Sequence, residues 1–230
     1  MKFGIVTFPG SNCDYDAYHA VTDVLGEEAT YLWHKDHDLA GADVVILPGG
    51  FSYGDYLRPG AIARFSPIMS EVIAHAKRGA PVLAICNGFQ IACEAGLLPG
   101  VLLRNESLRF VSEPVRLRVE NADTLFTNRY AMGEVLTMPV AHGDGRYTAD
   151  GETLDRLEGE GQVVFRYVQG AGDTDVYWSP NGAMRAIAGI VSAQGNVMGL
   201  MPHPERAMDA LLGSSDGVGV FESVLARVAA

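Results

Sequence analysis

Three short segments, far apart in the chain, carry residue types able to do acyl-transfer chemistry. Cys86 follows Val82-Leu83-Ala84-Ile85, an apolar run that predicts a buried strand, and precedes Phe89-Gln90-Ile91-Ala92-Cys93, which predicts the first turns of a helix. With small residues two before it (Ala84) and two after it (Gly88), Cys86 has the setting of a nucleophile elbow, a turn too sharp for larger side chains at those places. Such a turn exposes the sulfur at the end of a sheet, beside a helix N-terminus whose dipole and free N–H groups favour negative charge. Free cysteine is also among the most buried residue types, so this segment alone reads more readily as core.

The second segment is Met201-Pro202-His203-Pro204-Glu205. Pro204 biases His203 towards extended backbone, and residues two apart on an extended chain lie on the same side. Glu205 could then orient the His203 imidazole while the imidazole takes a thiol proton, which is the base-plus-orienter logic of a hydrolytic triad. The bland alternative is a solvated loop. The third segment is Leu47-Pro48-Gly49-Gly50-Phe51, after the apolar run Val44–Leu47. Acyl transfer needs N–H donors aimed at a developing oxyanion. The elbow offers the backbone N–H of Asn87 and the glycine loop offers that of Gly50, although a Gly-Gly pair is also an ordinary turn.

Strands are predicted over Phe3–Phe8, Ala29–Trp33, Val44–Leu47 and Val82–Ile85 to position these groups. Helices are predicted over Asp14–Leu25, capped by Asn12 or Asp14, and over Ile62–Arg78, closed by Gly79. Strands alternating with helices imply βαβ units and a mostly parallel central sheet with helices on both faces. The second half changes character. Val115–Val119, Val135–Val140 and Val163–Val168 read as strands, Ala183–Ser192 and Asn196–Met201 as a hairpin about Ala193-Gln194-Gly195, and Gly217–Arg227 as a closing helix. With no repeat or linker, the expectation is one α/β domain over residues 1–230, with an antiparallel extension to its sheet.

A chain of this length can bury roughly 70% of its unfolded surface. Hydrophobic residues make up 48% and charged residues 20%, the balance of a globular protein. A net charge of −11 argues against nucleic acid or an anionic membrane as partner. No apolar run approaches the ~20 residues that span a bilayer, no signal peptide precedes Lys2, and three cysteines without disulfide spacing suit a reducing compartment. The expected location is the cytoplasm.

Together the Pro-Gly-Gly loop, the Cys-x-Gly-x-Gln elbow (Cys86 to Gln90) and the His-Pro-Glu segment resemble the class I, triad-type glutamine amidotransferases, in which all three occur in this order. The resemblance implies that Cys86 attacks the side-chain amide of glutamine to form a γ-glutamyl thioester, with His203 protonating the departing ammonia and Glu205 holding His203. Longer runs sharpen it: Pro48 to Ala63, Leu103-Arg104-Asn105, Pro139 to Tyr147 and Gly199 to Arg206 are similar to the glutaminase subunits of phosphoribosylformylglycinamidine synthases. That family uses ammonia from glutamine, and ATP, to convert formylglycinamide ribonucleotide to the amidine. The resemblance implies a separate ATP-binding synthetase subunit, which would carry ATP and Mg²⁺, and a small accessory subunit, with no cofactor in this chain. It also implies a glutamine pocket lined by Phe51, Asn105, Arg109 and His142. Gln90, one helical turn beyond Cys86, could contact the substrate or be an ordinary polar helix position. One departure is Val111-Ser112-Glu113-Pro114, where many relatives are expected to have a Cys-Arg-type sequence.

Other candidates fall away. His34 and His37 have no third ligand nearby in sequence and read as a solvated turn, so no metal site is expected. No Gly-x-x-x-x-Gly-Lys phosphate loop is present. Cys93 reads as core and Cys13, in a polar loop, as exposed. The competing readings are the glutaminase of another synthase, a catalytically silent binding module and an unrelated cysteine hydrolase. The run from Phe51 to Ala63 weighs against the first, the intact Cys86, His203 and Glu205 against the second, and Gln90 with His-Pro-Glu against the third.

Overall fold

The computed structural model describes residues 1–170 and 176–228. β1 (Lys2–Thr7), β2 (Glu28–Trp33), β3 (Val44–Leu47) and β4 (Val82–Ile85) form the first half of one sheet. Between them lie α1 (Asp14–His19), which runs on as a π-helical segment through Ala20–Val24, and α2 (Ile68–Lys77). α3 (Asn87–Glu94) follows the elbow, and β5 (Val101–Leu103) pairs antiparallel with β8 (Arg146–Thr148) as a separate ribbon. The second half of the main sheet comprises β6 (Val111–Val119), β7 (Val135–His142), β9 (Val163–Gln169), β10 (Val176–Tyr177), β11 (Ile187–Val191) and β12 (Val197–Leu200), with α4 (Gly151–Gly159) before β9 and α5 (Val218–Val228) closing the chain.

The strand order is β2-β1-β3-β4-β12-β11-β9-β6-β7, with β10 added on β9. Pairing is parallel from β2 across to β12 and antiparallel from β12 to the far edge. Every residue of β3, β4 and β12 is buried. Alternate side chains point to opposite faces, so total burial means both faces of this parallel half are covered. β7 instead alternates half-buried and buried residues along its whole length, the mark of a sheet with one face towards water. No described helix is long and apolar enough to cross a membrane.

The helix starts differ from the sequence reading. The helix expected from Ile62 starts at Ile68, because Pro67 holds Ser66 extended (ψ 140°) and leaves only a short 3₁₀ turn, Ala63–Phe65, before it. Neither Asn12 nor Asp14 caps α1; Cys13 stands in the cap position and makes no side-chain capping bond. α4 has no counterpart in the sequence reading. Its start is fixed by Asp150, whose carboxylate accepts the Thr153 N–H, and only Leu154 and Leu157 are buried on its inner face.

Candidate active site

β4 and β12 are parallel neighbours at the middle of the sheet, and both run out at the same edge. Cys86 follows β4, and its N–H donates to Leu200 O at 2.8 Å, which ties the elbow to the end of β12. Its backbone lies at φ 50°, ψ −104°, a strained position for a residue with a side chain, at the N-cap of α3. The need for glycine at 88 is direct: a Cβ there would stand 1.9 Å from Leu47 O. The first N–H groups of α3, Asn87 among them, open towards the sulfur as helix N-termini do.

His203 leaves β12 in extended backbone, φ −104°, and its N–H donates to Pro139 O of β7 at 2.9 Å. The Nδ1–H donates to Glu205 Oε1 at 2.6 Å, with both side chains almost wholly out of solvent. Nε2 is buried and makes no hydrogen bond, as is Glu205 Oε2. Burial works to keep this imidazole neutral. The Glu205 carboxylate, then the sulfurs of Cys86 and Cys13, outweigh it and raise the His203 pKa well above the ordinary histidine value. An imidazole held charged and oriented by a buried carboxylate, with a cysteine sulfur near enough to raise its pKa, is a proton-transfer centre.

Around the sulfur lies a cleft of about 300 Å³, walled by Gly50, Phe51, Gln90, Arg109 and His142 together with residues the sequence reading did not single out, notably Asp55, Arg104, Phe110 and Asp144. Phe51 is exposed and packs on Phe110 at 6.4 Å between ring centres. Gln90 lines the cleft with both ends of its amide occupied: Oε1 accepts from Asn87 Nδ2 at 2.8 Å and Nε2 donates to Asp144 O at 2.7 Å. Asn87 Oδ1 in turn accepts from Ser52 N–H. This chain of bonds fastens the glycine loop, the elbow helix and the 143–145 loop to one another. His142 is buried and neutral, its pKa pushed down to about 4 by burial and by the charge of His203. Its Nδ1 lies 3.2 Å from Asn105 Oδ1 and its Nε2 lies 3.3 Å from Asn181 Nδ2, so the proton sits on Nδ1.

Asn105 corrects the sequence reading. It is wholly buried behind the cleft wall, not on it. Its Nδ2 donates to Arg109 O and His142 O, and its Oδ1 accepts the Gly145 N–H, so no polar atom is left for a ligand. Cys13 is corrected too. It is buried, and its sulfur lies with His203 and Glu205 in a cluster whose donor atoms fall within 4.8 Å of one another. Those are metal-binding types, but Arg206 Nη2 donates to Cys13 Sγ at 3.1 Å and brings a positive charge to the cluster. The sequence held no signal for this, because Cys13 and Arg206 meet only in the fold. His34 is not solvated either: it is buried, with Nδ1 2.7 Å from Tyr53 Oη, whereas His37 is exposed.

A doubly wound sheet, a strained cysteine elbow and a buried His–Glu pair define the class of thiol amidotransferases. Residues 1–216 match the profile of the CobB/CobQ-like glutamine amidotransferase domain. The phosphoribosylformylglycinamidine synthase subunit PurQ of Salinibacter ruber is 58% identical over 227 residues, 99% of this chain and 97% of that protein. The PurQ subunit of Chlorobaculum tepidum is 60% identical over 229 residues, covering 100% and 98%. A chain in the structure of PurLQS from Thermotoga maritima superposes with a TM-score of 0.87 at 46% identity, over 99% of this chain and 98% of that one. The chain belongs to the PurQ family of phosphoribosylformylglycinamidine synthase subunits.

Proposed function

We propose that this chain is the glutaminase subunit of a phosphoribosylformylglycinamidine synthase, drawing ammonia from glutamine for a separate ATP-dependent subunit. The observation that carries the chemistry is the buried His203–Glu205 pair, 2.6 Å apart, with Nε2 unpartnered and Cys86 near enough to raise the imidazole pKa. With its proton already held on His203, Cys86 attacks the side-chain carbonyl carbon of glutamine as a thiolate. The C=O π bond opens to an oxyanion, which the N–H groups of Asn87 and Gly50 stabilise. His203 returns the proton to the amide nitrogen, the C–N bond breaks, and ammonia leaves a γ-glutamyl thioester. Water, deprotonated by His203, then releases glutamate and restores the thiolate. Phe51, Gln90, Arg109 and His142 shape the pocket that holds the amide in line, and Asn105 holds the loops behind it.

ATP and Mg²⁺ belong to the partner synthetase, and this chain works without a cofactor of its own. The Thermotoga maritima assembly, named for three subunits, supports pairing with a large synthetase and a small accessory chain. Three free cysteines support a reducing, cytoplasmic setting. The test is Cys86→Ala in the assembled complex, given formylglycinamide ribonucleotide and ATP. Glutamine-dependent synthesis is expected to fall by at least about 10³-fold while synthesis from added ammonium persists. A variant that keeps its glutamine-dependent rate overturns the assignment.

A further inference from the structure

The cleft over Cys86 carries four charges of two signs. Arg104 and Arg109 stand on its wall, and so do Asp55 and Asp144. Among the described residues none of the four makes an ion pair, although the surface elsewhere is rich in them: Arg58 binds Glu94, Arg185 binds Asp155, and Arg227 binds Asp123. Asp55 is the most exacting of them. Its Oδ1 is buried and has no hydrogen-bond partner. A carboxylate oxygen taken from water and left unpaired is costly, and such an atom in a native fold calls for a partner. The carboxyl is pushed up to about 6 by burial and then by the charge of Asp144, which lines the same cleft. Its backbone is in the left-handed region at φ 53°, within a turn that also holds Tyr53 at 54° and Leu57 at 70°. That turn is pinned from outside, with Tyr53 Oη against His34 and Ser66 and Ser52 N–H on Asn87.

We propose that Asp55, supported by Asp144, receives the α-ammonium group of the substrate, while Arg104 and Arg109 face its α-carboxylate. Glutamine is a zwitterion at one end and an amide at the other. Once its amide lies on Cys86, the zwitterionic end needs a positive and a negative wall, and the cleft offers both within about 300 Å³. An ammonium between Asp55 and Asp144 supplies the missing partner of Oδ1 and relieves the repulsion of the two carboxylates. The inference deepens the glutaminase reading and rests on it.

The test compares L-glutamine with glutaramate, the same amide without the α-amino group, on the full complex. Asp55→Asn is expected to raise KM for glutamine 10- to 100-fold, the worth of a hydrogen bond to a charged group, with kcat within about threefold. Its kcat/KM for glutaramate is expected to stay within about twofold, so the preference for the amino group collapses. Asparagine suits the left-handed backbone at this position, and undiminished synthesis from ammonium reports an intact complex. Asp55→Glu keeps the charge and should recover part of the preference; Asp144→Asn should lower it less, and serves if Asp55→Asn fails to fold. An unchanged KM for glutamine, or an equal loss on both amides, overturns the inference. Absence of glutamine turnover in the wild-type complex would instead sink the glutaminase reading.

Discussion

Gly88→Ala isolates the geometry of the elbow in a single methyl group. Gly88 sits in the first turn of α3 in ordinary helical backbone, so alanine there brings no conformational penalty of its own. The methyl would stand 1.9 Å from Leu47 O, 2.6 Å from Leu47 C and 2.9 Å from Leu47 Cβ. To restore an ordinary contact of 3.4 Å, α3 and the end of β3 must part by about 1.5 Å. The obstacle is backbone in a fully buried central strand and has no flexible end to swing aside. The loss belongs at the top of the usual overpacking range, about 3 kcal/mol. At about 2–4 °C per kcal/mol for a protein of this size, the melting temperature falls by about 6–12 °C. Leu47 leads into Gly49-Gly50, so the same parting draws the Gly50 N–H away from Asn87. A shift near 1 Å costs about 10²-fold in rate. Thermal unfolding and glutamine-dependent synthesis, read against synthesis from ammonium, measure both effects. Gly26→Ala is the control: φ is +70° and nothing lies within 4 Å of the added methyl, so it loses about 1 kcal/mol through backbone strain alone and keeps full activity. Should Gly88→Ala melt within 2 °C of the wild type (about 0.5–1 kcal/mol) and keep its glutamine rate, the steric account of the elbow is wrong.

Two further outcomes follow from the charges about the triad. Glu205→Gln removes the carboxylate that keeps the buried His203 imidazole charged; burial then prevails, and glutamine-dependent turnover should drop about 10²- to 10⁴-fold with the ammonium reaction spared, as steady-state assays of both nitrogen sources will report. His142 is held neutral in the fold, with its pKa near 4, whereas in the unfolded chain it takes up a proton below its ordinary value. The unfolded state therefore binds the extra proton between the two values, and stability falls as pH drops through that window. At pH 5 the loss from this group is about 2 kcal/mol. Urea unfolding at pH 7 and pH 5 should show His142→Gln losing less stability than the wild type over that interval; equal losses would refute the reading.

The elements that hold the nucleophile were readable because their signals are local. Val44–Leu47 and Val82–Ile85 are unbroken apolar runs of β-branched and aliphatic residues, and β3 and β4 have those bounds. The elbow and the His-Pro-Glu segment each span a few residues, so spacing alone identified them. β5, β8 and β10 were missed because each has only two or three residues, too few to show a period. α4 did carry a signal, Asp150 three before Thr153, but only two buried leucines lie behind it. The cleft was harder still. Asp55 and Arg104 lie inside segments quoted for their resemblance, yet their opposite charges meet only when the Ser52–Leu57 turn folds over α3. Asn105 was misplaced for a related reason: a position can be required near a pocket because it ties loops together, and sequence does not separate that from contact with a ligand.

β12 is the last strand made among the described residues, yet it enters the middle of the sheet, between β4 and β11. A chain still on the ribosome and ending before Val197 has its cysteine and its glycine loop but no base, and Leu200 is not there to hold the elbow. Its two unsealed strand edges, β4 and β11, are long-lived invitations to pair with another chain. The enzyme therefore cannot consume glutamine until synthesis has passed Glu205. The cost is a slow closing step dominated by contacts distant in sequence, and C-terminal truncations that remove β12 should precipitate and not persist as silent folded fragments.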